Sequence, residues 1–235
     1  MRELCGLRPD YEVWLYGSRA RGDADATSDT DLLVVGDDGD DVRAVLTAVL
    51  WPSASVSFYT WSEIEAMWTY GSLFLDHIRS EARLLRPSPA DPGRLRSLLT
   101  SLPRFARARH DLEAFRRAVD EGEASLGDGG WPDLELQILA TVARHAVILA
   151  CHCVDEPAFG RTHPFTIYGR HAGWPPGDID ALVRGSVAYR FTPLGSPEWV
   201  RLEDDASRWL SLVHRVLDDL EVIVARHEAT LHTAA

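Results

Sequence analysis

The sequence predicts an α/β (α+β) domain built on a small sheet of mixed strand direction, followed by an all-α helical bundle. Three observations lead there. Up to residue 86, short apolar runs rich in Val, Leu and aromatic residues alternate with helical stretches, the pattern of a layered sheet domain. Between residues 87 and 93, Pro87, Pro89 and Pro92 interrupt any regular structure. Beyond them, apolar residues recur at helical spacing almost to the end. The expected domains are therefore residues 1–86, a linker at 87–93 and a bundle at 94–235.

Taken in order, the first domain should hold strands at 12–16, 31–36, 54–59 and 82–86. A helical turn follows Ser18, a helix is expected at 41–50, and a longer one at 61–79 breaks near Gly71. Asp37-Asp38-Gly39-Asp40-Asp41 suits a turn leading into a helix N-terminus, whose dipole favours acids. Ser62 to Glu65 suits a helix start with an acid in its first turn.

The chemistry concentrates in Gly17 to Val35, GSRARGDADATSDTDLLVV. An apolar strand, Val13 to Tyr16, runs into a glycine turn, where Gly17 and Gly22 let the backbone approach a ligand and free N–H groups with the Ser18 hydroxyl suit phosphate. Ten residues separate Ser18 from Asp29, and Asp29-Thr30-Asp31 enters the second strand with both carboxylates on one side. Two carboxylates side by side repel unless a cation joins them. Mg²⁺ prefers a few carboxylates completed by phosphate oxygens and water. Arg19 and Arg21 lie within the turn, where a guanidinium fork fits phosphate, although pairing with Asp23 or Asp25 is the simpler arrangement.

Gly-Ser, ten residues, then Asp-x-Asp resembles the signature of the DNA polymerase β-like nucleotidyltransferase superfamily, especially its minimal and aminoglycoside-modifying members. Gly71-Ser72-Leu73-Phe74-Leu75-Asp76-His77-Ile78-Arg79, continuing to Leu85, resembles the last helix and strand of the same domain, so the likeness covers residues 10–86. The resemblance implies that Asp29 and Asp31 bind Mg²⁺ and serve catalysis, and that Ser18 holds the triphosphate. Gly17, Arg19, Arg21, Gly22 and Ser28 complete the expected nucleotide site. A nucleoside monophosphate, AMP from ATP as the first expectation, would pass to a hydroxyl acceptor with release of pyrophosphate. Such domains usually carry a third acid on the next strand. Here Ser57, or Ser55, stands in its place.

In the second domain, helices are expected at 95–102, 105–124, 133–154 and 178–190. Ala206, Trp209, Leu210, Val213, Val216, Leu217, Leu220, Ile223 and Val224 mark one face of a final long helix. The result is a bundle of four or five helices, similar in position to the substrate domains of antibiotic nucleotidyltransferases and to the HEPN partners of toxin–antitoxin pairs. Glu135 shares a side with Leu139, Val142 and Ala146 and is the expected general base, facing the catalytic domain. A solvated first-turn acid is the plainer alternative. Asp111 and Glu113 are weaker candidates. Gly160 to Phe165, with Tyr168, Arg170 and His171, suits either a loop bordering the acceptor or a packed connection. Cys151-His152-Cys153 is a poor zinc site, because helix neighbours two apart diverge. Arg208 with His214, and Arg104 with His110, match the spacing of HEPN ribonucleases at a frequency chance supplies.

Composition sets outer limits. A net charge of −12 argues against a broad nucleic-acid surface and favours cationic partners, although solubility alone accounts for it. All 24 basic residues are Arg, so any cationic phosphate contact falls to Arg or His. Three cysteines without framework spacing fit a reducing cytoplasm. No signal peptide and no apolar run of membrane-spanning length are expected, and composition leaves a homodimer open.

Overall fold

The computed structural model describes residues 11–25, 28–37, 54–89, 91–192 and 197–233, the last helix by its backbone alone at 197–205 and 231–233. The helix expected at 41–50, and most of the acidic run Asp37 to Asp41, lie outside the described residues. By packing, the chain forms two compact units, Met1–Ala106 and Arg107–Ala235.

In the first unit a four-stranded sheet has the order β3-β2-β1-β4. Its strands are β1 (Glu12–Tyr16), β2 (Thr30–Gly36), β3 (Ala54–Thr60) and β4 (Arg83–Arg86). β1 runs antiparallel to both β2 and β4, and β2 runs parallel to β3, so the sheet is mixed as expected. Both faces are apolar. Val13, Leu15, Leu32 and Val34 lie on one, with Tyr11 and Phe58. Trp14, Tyr16, Leu33 and Val35 lie on the other, covered by α2 (Trp61–Thr69) and α3 (Leu73–Glu81). This double burial explains why β2 is a continuous apolar run instead of an alternating one.

The expected helix over 61–79 is two helices, because Gly71 adopts a left-handed φ of 69° between them. The start of α2 lies earlier than Ser62. Thr60 and Glu63 form a reciprocal capping box, in which Thr60 Oγ1 accepts from the Glu63 amide at 3.2 Å and Glu63 Oε2 accepts from the Thr60 amide at 2.7 Å. One short helix, α1 (Ser18–Arg21), follows β1.

The domain boundary differs from the expected linker at 87–93. The prolines do end β4, but α4 (Arg94–Thr100) returns to the sheet, where Leu95 and Leu99 are buried beside Trp14. Burying two leucines is worth roughly 3–6 kcal/mol, more than a free linker could forgo. Polar contacts fix the register. Trp68 Nε1 donates to the Leu98 carbonyl at 3.0 Å, and Arg94 pairs with Glu65 at 2.6 Å while lying 4.3 Å over the Trp61 ring. The boundary therefore falls between residues 106 and 107.

The second unit contains five described helices: α5 (Ala108–Gly127), α6 (Pro132–Cys153), α7 (His163–Ala172), α8 (Pro176–Phe191) and α9 (Pro197–Thr233). α6 is central and packs against the other four. It is long and apolar enough to cross a membrane, contrary to the expectation that no such run exists. Most of its length is buried by its neighbours, so its hydropathy is that of a core helix. α7 occupies the segment read as a loop. Pro164 falls in the first turn, where a missing N–H is harmless, and Tyr168 inside the helix donates to Asp219 at 2.8 Å.

Candidate functional site

The end of β1 gathers most of the residues expected at the site. Strand register sets Asp31 opposite Tyr16 on β1 and opposite Ser55 on β3. The chain then turns at Gly17, whose φ of 74° and ψ of −159° lie where side chains are strained. A Cβ at Gly17 would lie 2.2 Å from Asp31 Oδ2, so only glycine lets this carboxylate rest against the turn. Gly22, with φ 88° and ψ 13°, closes α1, and its amide donates to the Ser18 carbonyl.

Burial pushes the Asp31 carboxyl above the usual range, and the charge of Asp29 pushes it further. Asp29 itself is exposed. His77 and Arg21 offset only part of this rise, and the hard oxygen donors of the pair fit a divalent ion of the Mg²⁺ type. Among the described residues no group of three or more His, Cys, Asp or Glu is arranged to hold an ion. An ion at Asp29 and Asp31 would take its remaining ligands from phosphate and water, the coordination Mg²⁺ favours.

The two arginines of the turn are engaged within the protein. Arg19 donates to the carbonyls of Ser28 at 2.8 Å and Asp29 at 3.0 Å, bracing the loop that delivers the acid pair. Arg21 pairs with Glu81 at 2.7 Å and with Asp23 at 3.2 Å. The buried Ser28 hydroxyl donates to Asp25 Oδ1 and accepts from the Asp25 amide, so it closes the loop. The Gly17 amide, expected to be free for phosphate, donates to Glu81 Oε1 at 2.7 Å.

Glu81 and His77 were missed. Both lie on α3, four residues apart on one face, with His77 Nε2 donating to Glu81 Oε1 at 2.6 Å. Burial alone would raise the Glu81 carboxyl, but hydrogen bonds from His77 and Arg21 outweigh it and hold the pKa at about 2. The His77 ring also stands edge-on to Tyr16 at 5.6 Å. The i, i+4 spacing marks the two as neighbours on one helix face, but nothing in the sequence points that face at the glycine turn.

Ser57 and Ser55, the two serines that could stand for the usual third acid, lie on the β3 face shared with Asp31, Ser55 nearer to it. Ser55 lies directly opposite Asp31 and is exposed, whereas Ser57 lies opposite Leu33 and shares a 3.0 Å hydrogen bond with the Tyr16 hydroxyl.

In the second unit, Glu135 accepts from Ser125 Oγ at 2.7 Å, a tie between α6 and the end of α5. Cys151 donates to the Pro164 carbonyl, and burial pushes both the Cys151 and Cys153 thiols up to about 12, as expected of packing residues and not of metal ligands. His214 pairs with Glu123 at 2.9 Å.

The first unit is a mixed four-stranded sheet with a Gly-Ser turn set against an Asp-x-Asp strand. Residues 1–73 match the family model described as the nucleotidyltransferase domain, consistent with the DNA polymerase β-like nucleotidyltransferase superfamily. The match covers the first three strands and stops before Glu81. No curated protein matches the chain.

Proposed function

We propose that the protein transfers AMP from ATP, with Mg²⁺, to a hydroxyl of a small cationic acceptor of the aminoglycoside type, releasing pyrophosphate. A nucleotidyltransferase domain supports nucleotidyl transfer as the reaction class. The observation that supports the reading is the close approach of Asp31 to the Gly17 turn, which sets one carboxylate of the acid pair against the turn that Ser18 follows.

A divalent ion at Asp29 and Asp31 would neutralise the triphosphate and polarise its α-phosphorus. The chain's own residues do the rest. Asp31 is held by strand pairing on both sides, Arg19 fixes the loop carrying Asp29, and Ser18 stands as the first residue of α1. The net charge of −12 draws a cationic acceptor by long-range attraction. Glu135 is the proposed base for the acceptor proton. Three cysteines without framework spacing fit a reducing cytoplasm, and a chain whose 24 basic residues are all Arg fits a GC-rich bacterial source.

A serine, Ser57 or Ser55, where a third acid is usual favours a second reading, an antitoxin-like protein adenylyltransferase or an inactive nucleotide-binding regulator. Purified protein incubated with each labelled triphosphate, Mg²⁺ and a panel of hydroxyl acceptors, including a protein tyrosine, separates the two. Pyrophosphate release that depends on a small acceptor supports the first reading. Nucleotide binding without release supports the second. Asp29→Asn and Asp31→Asn should each abolish transfer with the fold retained. Unchanged Mg²⁺-dependent ATP binding by calorimetry in both variants would refute the metal site.

A further inference from the structure

Helix α3 ends in a carboxylate, Glu81, on which three donors converge. Glu81 Oε1 accepts from the Gly17 amide at 2.7 Å and from His77 Nε2 at 2.6 Å, and Oε2 accepts from Arg21 Nη1 at 2.7 Å. Two of those donors belong to the glycine turn, whose other bonds among the described residues are the local ones of α1, the Arg19 brace, the Arg21–Asp23 pair and a 3.5 Å bond from Arg83 to the Arg19 carbonyl. The Glu81 side chain is only 8% exposed, so these bonds form away from bulk water, where charge-assisted hydrogen bonds are strongest.

The other side of the turn is equally constrained. Asp31 Oδ2 lies 2.2 Å from where a Gly17 Cβ would be, so Gly17 sits between two carboxylates, one filling the space beside it and one accepting from its N–H. Ser18 follows directly, and its position relative to Asp31 is therefore set by Glu81. An Asp at position 81 would be one methylene too short to reach Gly17 and Arg21 together.

We propose that Glu81 is a positioning residue, which fixes the Gly17–Ser18 turn against Asp31 from outside the Gly-Ser and Asp-x-Asp motif. Its role in turnover rests on the transferase reading. Its role as the anchor of the turn does not.

The test reads both in the full chain. Native-state hydrogen exchange, followed residue by residue, should show the Gly17 amide exchanging about ten- to a hundredfold faster in Glu81→Ala, while Leu33 and Val34 of β2 keep their rates. Glu81→Asp should release Gly17 in the same way with the β2 amides protected. In the pyrophosphate-release assay, both variants should lose about tenfold or more in kcat, with KM for the nucleotide changed much less, because misplacement of Ser18 acts on the reacting geometry. Gly17 protected as in the wild type in either variant that keeps β2 protection overturns the anchor. Gly17 released with kcat unchanged overturns the positioning role. If Glu81→Ala loses β2 protection as well, Glu81→Asp decides by the same two criteria. A wild-type protein that binds no triphosphate and releases no pyrophosphate counts against the transferase reading alone, and the exchange result still decides the anchor.

Discussion

Replacing Gly17 with alanine should disturb both the stability of the first unit and the geometry of its acid pair. The backbone at φ 74° and ψ −159° lies in a region open essentially to glycine, and holding another residue there costs about 1–3 kcal/mol. The new methyl would also meet Asp31 Oδ2 at 2.2 Å, so the Asp31 side chain must leave its rotamer, at about 1 kcal/mol more. The sum is about 2–4 kcal/mol, or a thirty- to several-hundredfold rise in exchange of the β2 amides if they open with the unit. Two units make a single melting temperature ill-defined, so exchange at Leu33 and Val34 is the better measure. Gly22→Ala is the control. Its φ of 88° is also left-handed, but a Cβ there meets nothing within 4 Å, leaving about 1–2 kcal/mol of backbone strain alone. Displacing Asp31 by even 1 Å should lower turnover about a hundredfold in Gly17→Ala. Equal exchange in the two variants, or wild-type exchange in Gly17→Ala, would refute the contact on which the site depends.

Ser55→Asp should be tolerated and should sharpen Mg²⁺ dependence, since position 55 is exposed opposite Asp31, while Ser57→Asp should cost about 1–3 kcal/mol by putting a charge against the Tyr16 hydroxyl. Equal stability of the two by denaturant titration would place the register wrongly. Glu12 is buried on β1 with one oxygen bonded to Trp14 Nε1 at 3.0 Å, and burial raises its pKa above 4.5, partly offset by the Trp14 bond. A raised folded pKa means stability that is present below 4.5 and lost as pH rises, so Glu12→Gln should gain stability near pH 7–8 and lose that advantage at pH 4. A gain that does not change with pH would contradict it. Glu81 has the opposite sign. Its pKa falls from 4.5 to about 2, which is at most about 3 kcal/mol of stability, present above 4.5 and lost as pH falls towards 2. Acid titration of Glu81→Gln should lack that limb.

The sheet was legible because its strands are marked by two independent signals, apolar runs and the turn residues between them. β1 falls at 12–16 as expected, and the other strands shift by a residue. The long helices were legible from their period. The domain boundary was not, because prolines report only where regular structure stops and carry no information on where the chain packs next. Leu95 and Leu99 read as the first turns of the bundle, yet they cover Trp14 of the sheet. A fragment ending at residue 90 would strip that cover, so separation of the units belongs after residue 106. α7 was hidden for a different reason: Pro164, Thr166 and Gly169 lower local helix propensity, and burial of Phe165, Ile167 and Tyr168 overrides it.

The site divides along the same physical line. Residues whose roles depend on backbone conformation and strand alternation, such as Gly17, Gly22 and Asp31, could be located from spacing, since both follow from local geometry. Residues whose roles depend on partners could not. Ser28 and Arg21 sit within the motif and were assigned to the nucleotide, but their polar groups are taken by Asp25, Asp23 and Glu81. An arginine in an acidic protein meets carboxylates before it meets phosphate, and with 36 acidic residues to 24 arginines the competition inside the chain is the first one to resolve. Glu81 lies sixty-four residues from Gly17, beyond the stretch that matches the family model, so no window centred on the motif contains it. Its part in the turn follows only from the antiparallel pairing of β4 with β1, which brings the end of α3 back beside the strand where the turn begins.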